Sequence, residues 1–340
     1  MMVSSQQASR ARLRRHLVSR CLVTAGIVAL AAPSFFIPAA HAADDAMRVG
    51  VLIPGSKTDK GWMESGYDGV VAAQKEFGPK LKTQVIENIN YADMEQALTN
   101  LASRNQLVIG IGQTQAAVLK IAKRFPNVKF SIVGGNKGDN MPPNVAGYDV
   151  KQAEIAFVAG AAAAMLSKNG AVSYVGGMEI PSIVNAGKEF GNGAHYVNPK
   201  VKYFESYTGD FDNVAKAREA TAAAVAQGAD VHYHILNLGL RGLEQAAKEK
   251  NTHIIGSYTD RCGSDPLYVA YSITGVGYQA QYAIEQLEKG QWQPGYKAFG
   301  LAMGPKASGM VICKSTPAMD AKLKQIEEDI LSGKIKVSEG

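Results

Sequence analysis

Short apolar segments alternate with helix-like segments along nearly the whole chain, and this alternation restricts the fold more than any other feature. The first apolar segment spans 47–53, and an amphipathic stretch over 66–77 follows it. Nearly continuous apolar strands are typical of parallel sheets that are covered on both faces. Such strands are joined by crossover helices. The sequence therefore predicts an α/β protein with parallel sheets flanked by helices.

The alternation occurs in two comparable halves, and a short extended segment over 145–150 joins them. Strands are predicted at 47–53, 81–86, 107–111 and 129–133, then at 171–175, 201–206, 231–235 and 253–257. Helices are predicted at 66–77, 94–104 and 114–125, then at 155–166, 183–194, 214–227 and 238–249. Two lobes that are hinged by strands follow from this pattern.

The end of the chain is less regular. It predicts a strand over 267–273, a helix over 275–289, a hairpin of 297–303 with 309–313, and a helix over 316–332. We expect the helix at 275 to return to the first lobe, which makes a third crossover. The expected N-terminal lobe is 43–150 plus about 262–296, and the C-terminal lobe is 151–261 plus about 297–340.

The first 42 residues have the pattern of a signal peptide. Five arginines precede an apolar run over 22–39, and Ala40-His-Ala42 is a small-x-small cleavage site. A membrane anchor is the alternative, but Pro33 and Pro38 break the apolar run. Arg14-Arg15 leaves twin-arginine export open beside the general route. No Cys follows at a lipoprotein distance, so we expect a periplasmic protein that is not a lipoprotein.

The charge of the chain excludes one class of partner. The whole chain carries 36 basic and 30 acidic residues, a net charge of +6. The leader holds five of the basic residues and no acidic residue, so the remaining 298 residues carry 31 against 30. No basic surface for nucleic acid is therefore expected. A length of 298 residues suits two domains.

The chemistry-bearing motifs are few. No phosphate loop, nucleophile elbow or H-E-x-x-H motif occurs, so no catalysis and no cofactor are predicted. His232-Tyr-His234 places two imidazoles on one face of a strand, which leaves a metal site or a structural pair open. Cys262 and Cys313 remain in the mature chain, either as a disulfide or as free thiols.

Polar and aromatic residues cluster instead in the loops that follow predicted strands. In the first half these are Asp59, Trp62, Tyr67, Gln113 and Asn136. In the second half they are Met178, Tyr207, Asp210, Phe211, Asn237, Tyr258 and Asp260. Each has a structural explanation of its own, such as helix capping for Asp59. Together they predict a ligand-binding cleft, because ligands of open α/β sheets bind at the carboxyl ends of the strands.

Five segments occur in a characteristic order and spacing. They are Thr58-Asp-Lys-Gly-Trp-Met-Glu-Ser-Gly-Tyr-Asp-Gly69, Glu154-Ile-Ala-Phe-Val-Ala-Gly160, Val175-Gly-Gly-Met178 before Ile180-Pro181, Tyr207-Thr-Gly-Asp-Phe-Asp212, and Ile254-Ile-Gly-Ser-Tyr-Thr-Asp260. Through these segments the mature chain resembles the basic membrane protein (Bmp) family, the substrate-binding proteins of ABC importers that include purine nucleoside receptors.

The resemblance implies a two-lobed periplasmic binding protein of type I, with three interlobe crossovers and no catalysis. It implies that Tyr67 and Phe211 sandwich a purine base and that Asp59 hydrogen-bonds the base. It implies that Asp260 faces the sugar pocket. The partners that it implies are a small purine-like ligand and an ABC permease in the inner membrane, with the binding protein working as a monomer.

Two departures from the family pattern shift the expected ligand toward a free nucleobase. Asn136 stands where nucleoside binders often carry an Asp that contacts the base. Gly275 ends Ser272-Ile-Thr-Gly275, where they often carry a Lys toward the ribose. The alternatives are a flavin or another heterocycle, a nucleoside hydrolase in which Asp59 and Asp260 form an acid/base pair, and a sensory ectodomain.

Overall fold

The computed structural model describes residues 46–138 and 141–339. The predicted signal peptide over 1–42 lies outside these residues. The described chain forms two six-stranded sheets with helices packed on both faces of each. The predicted α/β class is confirmed.

The first sheet is wholly parallel and is built mainly from the first half of the chain. Its strands are β1 (Met47–Ile53), β2 (Leu81–Glu87), β3 (Leu107–Ile111), β4 (Lys129–Val133), β5 (Val145–Val150) and β11 (Gly295–Phe299). Their order across the sheet is β11-β5-β4-β3-β1-β2. β3 is buried along its whole length, as a central strand covered on both faces should be.

The second sheet repeats this arrangement. Its strands are β6 (Ala171–Gly176), β7 (Lys202–Tyr207), β8 (Val231–Ile235), β9 (His253–Ser257), β10 (Tyr268–Ile273) and β12 (Gly309–Ile312). Their order is β12-β10-β9-β8-β6-β7, and only β12 runs antiparallel to its neighbour among the strands described. In both sheets, the first strand in chain order therefore lies between the third and the second.

Helices connect successive strands and cover both sheets. They are α1 (Trp62–Phe77), α2 (Met94–Ala102), α3 (Gln115–Ala122), α4 (Gln152–Leu166), α5 (Pro181–Val197), α6 (Val214–Ala226), α7 (Leu240–Lys250), α8 (Val276–Glu288) and α9 (Pro317–Leu331). The alanine-rich α4 is buried from its first residue to Ala163, because small side chains let it pack between the second sheet and α5.

Three connections join the two sheets, as predicted. They run from β5 to α4, from β10 to α8, and from β11 to β12. The expected return to the first lobe at 262 is too early, because β10 pairs with β9 in the second sheet. The chain returns at α8, which packs against α1, and it remains there through β11.

The predicted hairpin of 297–303 with 309–313 is wrong. β11 pairs in parallel with β5, whereas β12 pairs with β10 in the other sheet. Both segments are short edge strands, so their local patterns are the same whether they pair with each other or with separate sheets. The segment between them is a crossover rather than a tight turn.

Candidate functional site

The loops that follow β1, β3, β6 and β8 lie at equivalent points of the two sheets. β1 has β3 on one side and β2 on the other, and β6 lies in the same way between β8 and β7. The strand order reverses at these points, which opens a crevice at the carboxyl ends of the strands. Five predicted site residues follow these strands: Asp59, Trp62, Gln113, Met178 and Asn237.

Asp59 is buried and holds the first turn of α1. Its Oδ1 accepts hydrogen bonds from the backbone N–H groups of Gly61 at 2.9 Å and Glu64 at 3.0 Å. Its Oδ2 accepts one from Met63 at 3.2 Å. Burial raises the pKa of Asp59 above its ordinary value, against the lowering effect of these three donors. A carboxylate has about four acceptor positions, so one position at Oδ2 stays open.

Trp62 connects the first helix to two loops of the second sheet. Its backbone N–H donates to Asn237 Oδ1 at 3.2 Å. Its indole meets the Tyr258 ring edge-on, with 6.1 Å between the ring centroids. Tyr258 has φ of +73°, a backbone conformation that bulky residues rarely adopt and that is concentrated at functional sites. The crevice is therefore closed at this point by direct contact between the lobes.

An ion pair makes a second contact across the crevice. Lys60 Nζ lies 3.4 Å from Glu244 Oε2 on α7, and both side chains are half-buried. Glu244 also accepts a hydrogen bond from the hydroxyl of Tyr268 at 2.8 Å, and Arg261 Nη1 lies 4.0 Å from its Oε1. The carboxylate of Glu244 is thus held in place for Lys60 by groups of its own lobe.

Phe211 lies beside the same contact. Its carbonyl oxygen accepts hydrogen bonds from the backbone N–H groups of Asn237 and Gly239, both at 3.0 Å. These bonds join the loop after β7 to the loop after β8. Phe211 and Trp62 are therefore both bonded to Asn237, one from each lobe, and the ring of Phe211 is half-buried.

Tyr67 lies on α1 next to Lys57 rather than in this contact. The ammonium of Lys57 is 5.6 Å from the centroid of the Tyr67 ring, and it pairs with Glu87 at 2.7 Å. In the described residues, no ring contact joins Tyr67 to Phe211. The structure thus gives the interlobe aromatic contact to Trp62, which the sequence did not distinguish from a packing residue.

Three predicted residues lie at the exposed rim. Gln113 accepts a hydrogen bond from the hydroxyl of Tyr91, and the backbone N–H of Asn136 donates to Gln115 Oε1 at 2.7 Å. Met178 is 41% exposed. Each has a partner or a surface position of its own, so direct ligand contact stays a prediction for all three.

Tyr258 and Asp260 line a cavity of about 440 Å³ between the loop after β9, α1 and α8. Asp260 Oδ1 accepts a hydrogen bond from the backbone N–H of Cys262 at 2.8 Å. Cys262 is joined to Cys313 by a disulfide, which connects this loop to the end of β12. The loop that carries both predicted site residues is therefore anchored at its far end.

His232 is hydrogen-bonded within the second sheet, whereas the ring nitrogens of the buried His234 have no hydrogen-bond partner among the described residues. His232 bonds Ser173 at 2.7 Å and Thr252 at 2.9 Å, and burial lowers its pKa to about 4. Burial, with the nearby Arg261, lowers the pKa of His234 to about 3. Within the described part of the chain, no group of three or more His, Cys, Asp or Glu side chains is placed to hold a metal ion.

Several residues at the crevice carry no signal that sequence reasoning detected. Gly61 approaches Asn237 so closely that a Cβ there would lie 2.3 Å from Asn237 Oδ1. Lys60 and Glu244 form the ion pair, and Gln279 of α8 accepts the N–H of Gly134 at 3.2 Å. The glycine at the start of α1 could have indicated a close approach of the backbone to another segment. A Glu or Gln in a helix, in contrast, is typical of an exposed surface.

A family model of ABC transporter substrate-binding proteins, described as PnrA-like, matches residues 46–338. The chain belongs to the Bmp family. This match covers both lobes and all three crossovers, and it confirms the resemblance seen in the sequence. Members of this family are substrate-binding proteins rather than enzymes, and those of ABC transporters work outside the cytoplasmic membrane.

Characterised relatives are similar over much of the chain. Basic membrane protein A of Borreliella burgdorferi is 30% identical over 67% of this chain and 68% of its own length. A purine-binding protein of Brucella abortus is 30% identical over 58% of this chain and 56% of its own. An ABC transporter nucleoside-binding protein of Lactococcus lactis is 26% identical over 82% and 85%.

Solved structures share the fold. A solute-binding protein of an ABC transporter system from Conexibacter woesei superposes with a TM-score of 0.72 at 23% identity, over 86% of this chain and 99% of that one. A second one, from Aeropyrum pernix, gives 0.74 at 21% identity, over 85% and 92%. These confirm the type I binding-protein architecture. None of the described helices is long and apolar enough to span a membrane.

Proposed function

We propose that this Bmp-family protein binds a purine nucleobase between its two lobes and delivers it to an ABC permease of the inner membrane. Two relatives support the ligand class, since one is named a purine-binding protein and another a nucleoside-binding protein. We propose further that the protein works as a monomer in the periplasm after cleavage near Ala42.

The observation that carries the proposal is the contact of Trp62 with Asn237 and Tyr258 across the crevice. We propose that these contacts between the lobes belong to the closed state. A ligand that touches both lobes stabilises that state and shifts the population toward it. The permease then distinguishes loaded from empty protein by its shape.

The chemistry of the crevice suits a flat ring with polar edges. The open acceptor position of Asp59 Oδ2 takes a ring N–H, a charge-assisted hydrogen bond that is stronger than a neutral one. Phe211 and Tyr67 supply aromatic faces, and a stacked pair contributes about 0.5–1.5 kcal/mol beyond burial. Asp260 lines the neighbouring cavity.

Gly275 supports a base rather than a nucleoside. It has φ of +69°, and a Cβ at this position would lie 2.2 Å from the carbonyl oxygen of Ala307. A lysine therefore does not fit at this position without movement of the crossover. The crowding at Gly275 supports a ligand that needs no lysine contact to a ribose at this position.

Native mass spectrometry of freshly purified protein tests the proposal. We expect an added mass equal to that of a purine base, which disappears after unfolding and refolding. An added mass equal to that of a flavin or another non-purine metabolite would overturn the proposed ligand while leaving the family assignment intact.

A further inference from the structure

Glu244 has two cationic partners, one from each lobe. Its Oε2 lies 3.4 Å from Nζ of Lys60, in the loop after β1 of the first lobe. Its Oε1 lies 4.0 Å from Nη1 of Arg261, in the loop after β9 of the second lobe, to which Glu244 itself belongs. One carboxylate is therefore shared between a cation of its own lobe and a cation of the opposite lobe.

The backbone holds Lys60 in a conformation from which its side chain reaches across the crevice. Its φ is +60°, in the left-handed region that lysine rarely adopts. Its backbone N–H donates to Oε2 of Glu64 on α1 at 2.8 Å, which fixes this conformation within the first lobe. Such backbone strain is concentrated at functional sites and at segments that switch between two states. The contact with Glu244 is what this conformation provides.

Arg261 is held beside Glu244 by contacts within the second lobe. Its guanidinium lies 5.4 Å from the centroid of the Tyr268 ring, and the hydroxyl of Tyr268 donates to Glu244 Oε1 at 2.8 Å. The next residue, Cys262, is anchored by its disulfide. At 4.0 Å, Arg261 is at the outer limit of an ion pair, whereas Lys60 is closer. A small movement of its side chain is enough to bring Arg261 into full contact.

Separation of the lobes would take Lys60 away from Glu244 and leave the carboxylate without its nearer partner. The side chain of Glu244 is only 18% exposed, and a carboxylate that is largely removed from water is costly to leave unpaired. Arg261 stays in the same lobe, and its planar guanidinium can bind a carboxylate through two parallel N–H groups. The carboxylate thus has a replacement partner that is available only from its own side.

We propose that Glu244 exchanges partners as the lobes move, pairing with Lys60 in the closed state and with Arg261 in the open state. This rests on the proposed function in one respect, since ligand binding drives the closure. The two cations then act in opposite directions: Lys60 stabilises the closed state, and Arg261 stabilises the open state that competes with it. Because Asp260 directly precedes Arg261, the exchange also couples the loop that lines the cavity to closure.

Titration calorimetry with hypoxanthine and with adenine tests the opposite signs. Lys60→Gln should weaken binding about fivefold, and Arg261→Gln should strengthen it about threefold, as expected for partly exposed ion pairs. In a Glu244→Gln background, each substitution should change the affinity by less than about 1.5-fold, because the shared partner is gone. Arg261→Lys keeps the charge and should restore the affinity of the unmutated protein.

Ion pairs within one lobe provide the matched controls. Lys120 Nζ lies 2.7 Å from Glu95 Oε1 between two helices of the first lobe. Arg218 Nη2 lies 3.0 Å from Glu249 Oε1 between two helices of the second lobe. Lys120→Gln and Arg218→Gln remove a charge of the same kind and should leave the affinity unchanged, since neither pair joins the lobes.

Small-angle scattering of ligand-free protein gives a second readout that does not depend on the ligand. Arg261→Gln should reduce the radius of gyration, because the open state loses its ion pair. An Arg261 that only supports the site predicts weaker binding for Arg261→Gln, as for Lys60→Gln, and that result would overturn the exchange. Equal radii for Arg261→Gln and the unmutated protein would overturn it as well. If the unmutated protein binds neither base, the proposed function fails, and scattering alone decides the exchange.

Discussion

The backbone N–H of Trp62 donates to the side-chain oxygen of Asn237 at 3.2 Å, which joins the start of the first helix to the loop after β8. Asn237 is also bonded through its own N–H to the carbonyl of Phe211. One side chain therefore couples the helix of the first lobe to the aromatic residue that we place over the ligand in the second. We propose that closure of the crevice depends on this link.

Asn237→Ala should weaken ligand binding by about fivefold, because one hydrogen bond of the closed state is lost at a net cost near 1 kcal/mol. The melting temperature of the ligand-free protein should stay the same. Calorimetry and thermal melts measure the two quantities. Asn192→Ala is the control, since the exposed Asn192 donates to Glu189 of its own helix α5 and, among the described residues, makes no bond to the first lobe. Equal affinities of the two variants would refute the role of Asn237.

Gly61→Ala should prevent closure. The added methyl would lie 2.3 Å from Asn237 Oδ1 and 2.8 Å from Asn237 Cα, a backbone atom that cannot move aside alone. We expect affinity to fall on the order of 100-fold through the closing equilibrium. Gly55→Ala is a control on the same loop, because its nearest atom would be Met63 Cγ at 3.6 Å. Small-angle scattering should show that only the Gly61 variant stays open with ligand.

Removal of the disulfide should lower stability and loosen the loop that carries Tyr258 and Asp260. Cys262 and Cys313 are separated by 51 positions. Closing a loop of this size stabilises a protein by about 2–4 kcal/mol in the chain-entropy account. Urea unfolding of the double serine variant measures the loss. A reducing agent should destabilise the natural protein and leave the variant unaffected. A natural protein whose stability does not change on reduction would exclude the disulfide.

Stability should fall as the pH drops below about 6.5, the ordinary pKa of histidine. Burial lowers the pKa of His232 to about 4 and that of His234 to about 3. Between pH 6.5 and those values, the unfolded chain binds protons that the folded protein does not. Two such groups change the free energy of unfolding by at most about 2.7 kcal/mol per pH unit. Denaturant titrations of His234→Gln at several pH values should show about half of this change per pH unit. An unchanged pH dependence would contradict this account.

Much of the fold could be predicted because its strands are buried on both faces. β1, β8 and β9 begin and end at the predicted residues. β11 and β12 could not be paired correctly, because their partners are distant in sequence and edge strands carry little pattern. The pairing of these two strands depends on the return of the chain to the first lobe at α8, which is a tertiary effect.

The sequence predicted some of the residues that meet at the crevice, and their contact with a ligand stays a prediction. Asp59, Trp62, Phe211, Asn237 and Tyr258 are brought together because strand-end loops of parallel sheets converge. The burial of Gln279 could not be predicted, since an amide in an amphipathic helix gives no sign that it is buried. The neighbour of Tyr67 could not be predicted either. A position on a helix fixes the direction of a side chain but not the residue that its ring meets.

Titration calorimetry with small-angle scattering, on protein refolded free of ligand, tests the central claim most directly. The account predicts that a purine base binds with micromolar or tighter affinity, that its ribonucleoside binds at least about tenfold more weakly, and that the radius of gyration decreases on binding. A protein that binds the nucleoside as tightly as the base, or that binds the base without becoming more compact, would contradict it.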